Sequence, residues 1–207
     1  MSSLVPDPAA SPPQTVHIAN VANALTMLRL LLVPVFAVLL FRDDGMRVGW
    51  RIAACVVFAG ASLTDRVDGD LARRLGVVTE FGKLADPIAD KALTGTALIG
   101  LSSLTLLPWW VTVVILVREI GVTALRFFVI RHGVIPASRG GKAKTLLQII
   151  AICLYVLPGS LSPPAIVREL FMAAAVVVTV VTGVDYVLQA MRLRRSQPGR
   201  SEPAAGR

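Results

Sequence analysis

Apolar positions in this chain gather into long runs and do not alternate with polar ones. Ala24 to Phe41 and Met172 to Val184 are the clearest examples. Runs of about 18 or more largely apolar residues are long enough to cross a bilayer as helices. Taken along the chain, the pattern predicts six spans, at roughly 24–41, 49–75, 84–106, 109–131, 143–160 and 168–191. The expected fold class is therefore all-α: an integral membrane protein of six transmembrane helices. Residues 1–15 hold Pro6, Pro8, Pro12 and Pro13 and are expected as a disordered tail. They lack an apolar stretch, so no cleavable signal is expected. Residues 16–23 are expected to lie as a short interfacial helix, 16–191 to form the membrane domain, and 192–207 a flexible basic tail. No repeat of 20 to 50 residues is visible.

Basic residues orient this pattern. The connection after the second span carries Arg73, Arg74 and Lys83, and the one after the fourth carries Arg131, Arg139, Lys142 and Lys144. The C-terminus adds Arg192, Arg194 and Arg195, whereas the loops at Leu106–Trp110 and Pro158–Ile166 hold no basic residue. Cytosolic loops collect lysine and arginine, which puts both termini and these two connections in the cytosol, with the protein in the inner (plasma) membrane. Arg42, Arg47 and Arg51 in the first outer loop dissent, partly offset by Asp43 and Asp44. Trp109 and Trp110 fit an aromatic belt on the outer side.

Composition sharpens the class. The 207 residues are 55% hydrophobic and 16% charged, with a mean hydropathy of +0.70. A soluble domain of this size would carry more charge. The net charge of +8 would raise the question of nucleic acid in a soluble protein. Here the basic residues cluster at the ends of apolar runs, where they suit anionic head groups, and no nucleic-acid motif appears. Cys55 and Cys153 both lie inside apolar segments and read as small buried hydrophobes.

Candidate chemistry begins at the end of the second span. Asp65 and Asp68 are three residues apart and Asp86 and Asp90 four apart, so each pair shares one helix face. Gly76 and Thr79 permit a tight turn between them, which would make the two helices antiparallel neighbours. Four carboxylates would then converge near the membrane boundary, an arrangement that repels itself unless cations are present. Oxygen-only ligands favour Mg²⁺ or Mn²⁺, and four carboxylates suffice for two ions that clamp phosphate. The bland alternative is solvated loop charges balanced by Arg66, Arg73, Arg74 and Lys91. The phasing of two pairs beside Gly69, Ala72 and Gly82 weighs against it. Asp70 lacks that phase and reads as a surface charge.

The full spacing, Asp65-x2-Asp68-Gly69-x2-Ala72-Arg73-x8-Gly82-x3-Asp86-x3-Asp90, resembles the signature of the CDP-alcohol phosphatidyltransferases, with eight positions matched across 26 residues. The resemblance extends from Asn23 to about Leu188. It implies six transmembrane helices, usually as a homodimer, around a polar cavity open to the cytosol. It also implies that Asp65, Asp68 and Asp86 ligate two metal ions, with Asp90 near them as the base that takes the acceptor's hydroxyl proton. Gly69, Arg73 and Thr79 would contact CDP-diacylglycerol. Asn23-Ala24-Leu25-Thr26-x2-Arg29 resembles the first-helix element that helps enclose the CDP part, so Asn23 and Thr26 join that set. Ala22 stands where the family often has proline.

A second cluster bears on the acceptor alcohol. Arg118 and Arg126 lie in the otherwise apolar fourth span, and buried arginines are costly. Gly141-Lys142-Ala143-Lys144-Thr145 opens the fifth span, where a helix N-terminus and two lysines suit an anion. Four cations beside a metal site point to an acceptor with its own phosphate. The competing reading makes Lys142 and Lys144 topogenic and pairs Arg118 with Glu119 or an aspartate. Arg118-Glu119-Ile120-x3-Ala124-Leu125-Arg126 with Gly141-Lys142-x-Lys144-Thr145 resembles the branch of the family that uses glycerol 3-phosphate, although Phe127 stands where that branch commonly has an acid. Inositol 1-phosphate and phosphatidylglycerol are the other acceptors to weigh. A divalent-cation transporter is the non-enzymatic alternative. Its carboxylates would be expected near the membrane midplane, without an arginine-rich neighbour.

Overall fold

Residues 15–74, 80–130 and 140–195 are described in the computed structural model, with side chains for 24–64, 88–125 and 144–191 apart from residue 190. Among these residues there are six α-helices, one short 3-10 turn and no strand. The helices are α1 (Thr15–Phe41), α2 (Val48–Arg74), α3 (Glu80–Ser103), α4 (Trp109–Ile130), α5 (Gly140–Val156) and α6 (Ala165–Arg195). Residues 192–195, expected as the start of a flexible tail, instead extend α6 to Arg195, and Thr15 opens α1; the rest of the expected tails at 1–15 and 192–207 lies outside the described residues.

Local chemistry sets the helix ends, and it moves some of the expected boundaries. Residues 16–23, expected as a separate interfacial segment, form the first turns of an unbroken α1. Alanine at position 22 keeps its backbone N–H and a high helix propensity, so nothing stops the helix there. Helix α5 ends at Val156, short of the expected 160, because Leu157 precedes Pro158 and that residue is driven out of helical geometry. Helix α6 starts at Ala165, straight after Pro163 and Pro164, with the Val167 N–H on the Pro164 carbonyl at 2.9 Å. Helix α4 likewise begins directly after Pro108.

Helix α1 packs against both α2 and α3, α6 against both α4 and α5, and α5 bridges the two groups through α2 and α3. One apolar core runs through the bundle, with Phe36, Phe58, Leu98, Leu101, Ile115, Ile152 and Val156 all essentially inaccessible. The Phe36 and Phe58 rings lie 5.6 Å apart and tilted, which ties α1 to α2. Gly100 lets α1 approach α3 closely, since a Cβ there would fall 2.6 Å from Leu40 Cδ2. Polar groups inside the bundle are matched across helices. Ser102 and Thr112 share a 2.7 Å hydrogen bond, and the Thr112 hydroxyl also reaches the Leu98 carbonyl at 3.1 Å.

Arg51 was counted above as a dissenting charge of the outer loop. The structure puts it inside α2, buried, donating from Nε to the Val156 carbonyl at 2.9 Å and from Nη2 to the Tyr155 carbonyl at 2.6 Å. It therefore closes the C-terminus of α5, where the last carbonyls have no intrahelical partner and the helix dipole favours a cation. Arg42 lies over the Trp50 ring and Arg47 pairs with Asp43. Two of the three dissenting arginines are thus engaged locally and the third is a cap.

The outer surface is apolar. Leu31, Val56, Val117, Leu170 and Val181 are each more than half exposed, on four different helices. Two stretches, Ala24–Gly45 and Ala165–Gln189, are long and apolar enough to cross a membrane by length and composition. Helices α2, α3 and α4 are also long, but charged residues such as Asp65, Asp90 and Arg118 interrupt their apolar runs.

Candidate active site

The site grows from the acid-bearing face of α3. Asp90 and Lys91 are adjacent on this helix, and Thr94 lies one turn beyond Asp90. Glu119 stands on α4, while Lys144, Thr145 and Gln148 come from the first turns of α5. Residues i and i+4 share a face, so Lys144 and Gln148 point the same way. Together these side chains, with Leu116, Ile120, Ile149 and Ile152 as apolar walls, line a cavity of about 90 Å³. A single water needs roughly 10–15 Å³ on this measure, so the space holds several waters or one compact anionic group.

Glu119 is the electrostatic centre of the site. Its Oε2 accepts from Lys91 Nζ at 3.1 Å, and its Oε1 accepts from Lys144 Nζ and from Arg118 Nη1, the latter at 3.3 Å. The carboxylate is only 14% exposed and the Lys144 side chain 6%. Charges buried to this degree persist when they are paired, and here three helices contribute to one cluster. Arg118 spends two more of its five N–H groups on α6: Nε on the Thr179 carbonyl at 3.1 Å and Nη2 on the Thr182 hydroxyl at 2.8 Å. Gly183 makes room for this arginine, because a Cβ there would lie 2.9 Å from Arg118 Cγ.

Asp90 is partly buried in the cavity wall, within coulombic range of Lys91, Glu119, Arg29 and Lys144. Arg29 and Thr26 are both buried on α1, so the first-helix element contributes a cation toward the same acid. The structure thus brings together Asp90, Lys144 and Glu119 in one cavity wall, with Arg118 bonded to Glu119 from behind. Asp65, Asp68, Gly69 and Arg73 lie on α2, Asp86 on α3, Asn23 on α1, Arg126 on α4 and Lys142 on α5, but their side chains are outside the described residues. Thr79 is outside them altogether. Helical backbone at both positions does put Asp65 with Asp68 on one face of α2, and Asp86 with Asp90 on one face of α3. These two helices touch at few positions, both packing chiefly on α1. Among the described residues no three metal-binding side chains cluster. The donor set on the two acidic faces, all carboxylate oxygen, nonetheless fits hard divalent ions.

Two site residues were not singled out from the sequence. Lys91 enters the sequence reading only under the alternative of solvated loop charges, and Glu119 as a partner for Arg118 and a position of the Arg118–Arg126 motif. The available signal was an acid inside an apolar run, which in a membrane helix marks a functional position. Gln148, one turn after Lys144, carried a weaker one.

Comparison with known proteins identifies the family. The family model described as CDP-alcohol phosphatidyltransferase matches residues 19–181. A protein of Mycobacterium tuberculosis named probable phosphatidylglycerophosphate synthase is 59% identical over 176 residues, covering 85% of this chain and 84% of that one. A CDP-diacylglycerol–glycerol-3-phosphate 3-phosphatidyltransferase of Bacillus subtilis is 40% identical, covering 81% and 93%. A CMP-forming cardiolipin synthase of Streptomyces coelicolor is 34% identical, covering 88% of each. In three dimensions, the crystal structure of the apo phosphatidylinositol phosphate synthase of M. tuberculosis superposes with a TM-score of 0.59 at 21% identity, over 93% of this chain and all of that one.

Proposed function

Because this chain belongs to the CDP-alcohol phosphatidyltransferase family, we propose that it transfers the phosphatidyl group of CDP-diacylglycerol to glycerol 3-phosphate, giving phosphatidylglycerophosphate and CMP. The observation that carries this reading is one cavity lined by both an aspartate of the family signature and a buried lysine. An acid for the acceptor's hydroxyl and a cation for its phosphate are thereby held a short distance apart.

In this reading the acceptor's hydroxyl oxygen bonds to the β-phosphorus of CDP-diacylglycerol, the bond from that phosphorus to the bridging oxygen breaks, and CMP leaves. Asp90 takes the hydroxyl proton. Lys144 and the arginines Arg118 and Arg126, with Lys142, hold or support the acceptor's phosphate. Asn23, Thr26, Gly69, Arg73 and Thr79 hold the CDP-lipid. Asp65, Asp68 and Asp86, with Asp90 close by, would hold two Mg²⁺ or Mn²⁺ ions, whose charge would stabilise the pyrophosphate oxygens as CMP departs. Apolar walls from Leu116, Ile120 and Ile152 limit water, which favours the alcohol as nucleophile over hydrolysis. We further propose that all six helices span the inner membrane, that the cavity and both termini face the cytosol, and that the enzyme is a homodimer.

The deciding experiment is an acceptor panel. Protein purified in detergent, with CDP-diacylglycerol and Mg²⁺, is offered glycerol 3-phosphate, inositol 1-phosphate, inositol, serine and phosphatidylglycerol, and CMP release is followed. Turnover is expected with glycerol 3-phosphate alone, abolished by a chelator and restored by Mg²⁺. Turnover with inositol 1-phosphate or phosphatidylglycerol instead would reassign the acceptor, and activity undiminished by chelation would remove the metal ions from the reading.

A further inference from the structure

We infer that Lys91 is a further ligand for the acceptor's phosphate, and that Glu119 is a positioning residue that holds Lys91 and Lys144 as a pair. This inference rests on the reading proposed above, because it presumes an acceptor carrying a phosphate.

Lys91 reaches the cavity from α3 and Lys144 from α5, and both ammonium groups meet the Glu119 carboxylate. An ammonium has three N–H donors. Among the described residues each lysine spends one on Glu119, which leaves two on each for a ligand in the cavity. Arg118 is differently placed: it bonds α6 through two groups and Glu119 through a third, and it is not part of the cavity wall. Arg118 therefore anchors Glu119, and Glu119 in turn anchors the lysines.

Charge explains why the carboxylate is needed. Three cations converging without an anion would repel one another, and burial would favour neutral lysines. With Glu119 among them the cations are held together, and the two lysine ammonium groups stay in the cavity wall, where an anion can meet them. Lys91, being next to Asp90, places the acceptor's phosphate beside the carboxylate assigned to the hydroxyl proton. Glu119 itself would repel the phosphate, so it acts through the lysines and is no substrate ligand.

A purely structural Lys91, present only to neutralise Glu119, makes a different prediction. Lys144 and Arg118 still pair with Glu119 in its absence, so Lys91→Met would then leave the acceptor KM near the wild-type value. Steady-state CMP release is therefore measured for Lys91→Met, Glu119→Gln and the double variant K91M/E119Q, varying each substrate, with inorganic phosphate as a competitive inhibitor. K91M is expected to raise the KM for glycerol 3-phosphate about tenfold or more, and the inhibition constant of phosphate with it, while the KM for CDP-diacylglycerol stays put. E119Q should shift the acceptor KM in the same direction, Lys91→Arg should recover most of the affinity, and K91M/E119Q should be no better than K91M. A double variant restored to the wild-type acceptor KM would overturn the inference, as would an unchanged acceptor KM in K91M. Should K91M fail to fold, Lys91→Gln, which keeps a polar side chain while removing the charge, carries the same test. If the wild type uses inositol 1-phosphate, the same constants are read for that acceptor. If it uses only acceptors without a phosphate monoester, phosphatidylglycerol included, the proposed function and this inference fall together. Normal use of glycerol 3-phosphate with Lys91 silent removes the inference alone.

Discussion

Two carboxylates face each other's environment in this site, and their surroundings separate their roles. Both Glu119 oxygens already accept from cations, which fixes the side chain and leaves it little room to collect a proton from a substrate. Asp90 lies in the cavity wall near the same lysines and Arg29 but belongs to the acidic face of α3 that also carries Asp86. Replacing Asp90 by Asn keeps its shape while removing the charge and the proton-accepting oxygen. CMP release with glycerol 3-phosphate is expected to fall a hundredfold or more, in the range that proton transfer commonly contributes. Size-exclusion behaviour in detergent should stay that of the wild type. Near-normal turnover would take the base assignment away from Asp90. Asp90 and Lys144 were legible in the sequence, one through its spacing and the other through its place at the start of an apolar run. Glu119 as an organising centre was not, because that role depends on α3, α4, α5 and α6 meeting around it. Nothing in a linear pattern says which helices are neighbours.

Helices were the most legible level, because hydrophobic runs of this length have few other uses. What the runs could not give was how each helix end is satisfied. Arg51 shows the difficulty: near a predicted span boundary, an arginine looks the same whether it faces the outer loop or turns inward. Its two hydrogen bonds to the last carbonyls of α5 decide the matter, across about a hundred residues of sequence. Arg51→Ala leaves both carbonyls without that donor and removes a cation from the negative end of α5. Unsatisfied buried acceptors cost roughly 1–3 kcal/mol each, less where head-group water can reach them. The expected loss is about 2 kcal/mol, read as a lower unfolding temperature in detergent, with the KM for both substrates kept near wild type below that temperature. Arg51→Lys should recover only part, since a lysine cannot span two carbonyls with a planar fork. An unchanged unfolding temperature would mean that the cap contributes nothing to stability. The unbroken α1 makes the same point from the other side: with alanine at position 22, nothing in the backbone interrupts the helix between residues 16–23 and the span.

At the scale of the molecule, the two ends of the bundle differ in chemistry. One end carries Trp109 and Trp110, both more than half exposed, at the start of α4, and the Arg51 cap on α5. Toward the other end α2 runs into Asp65 and Asp68, α3 starts just before Asp86 and Asp90, and α5 starts just before Lys144. A water-soluble, charged acceptor and a released nucleotide both require the acidic end to face the compartment that supplies them. The proposed orientation puts that end in the cytosol, as the basic connections suggest, and engagement of Arg42, Arg47 and Arg51 within the fold weakens the dissent of the first outer loop. Orientation can be read with single cysteines after Cys55 and Cys153 are replaced by alanine. Trp110→Cys, at an exposed position on the tryptophan end, should react with a membrane-impermeant maleimide in intact cells whose outer permeability barrier has been opened. Met191→Cys, exposed near the end of α6, should stay unlabelled until the inner membrane is disrupted. The reverse pattern would turn the cavity outward, away from any cytosolic acceptor. Labelling of both positions in intact cells would mean that the chain does not hold a single orientation, and the six-span topology would have to be redrawn.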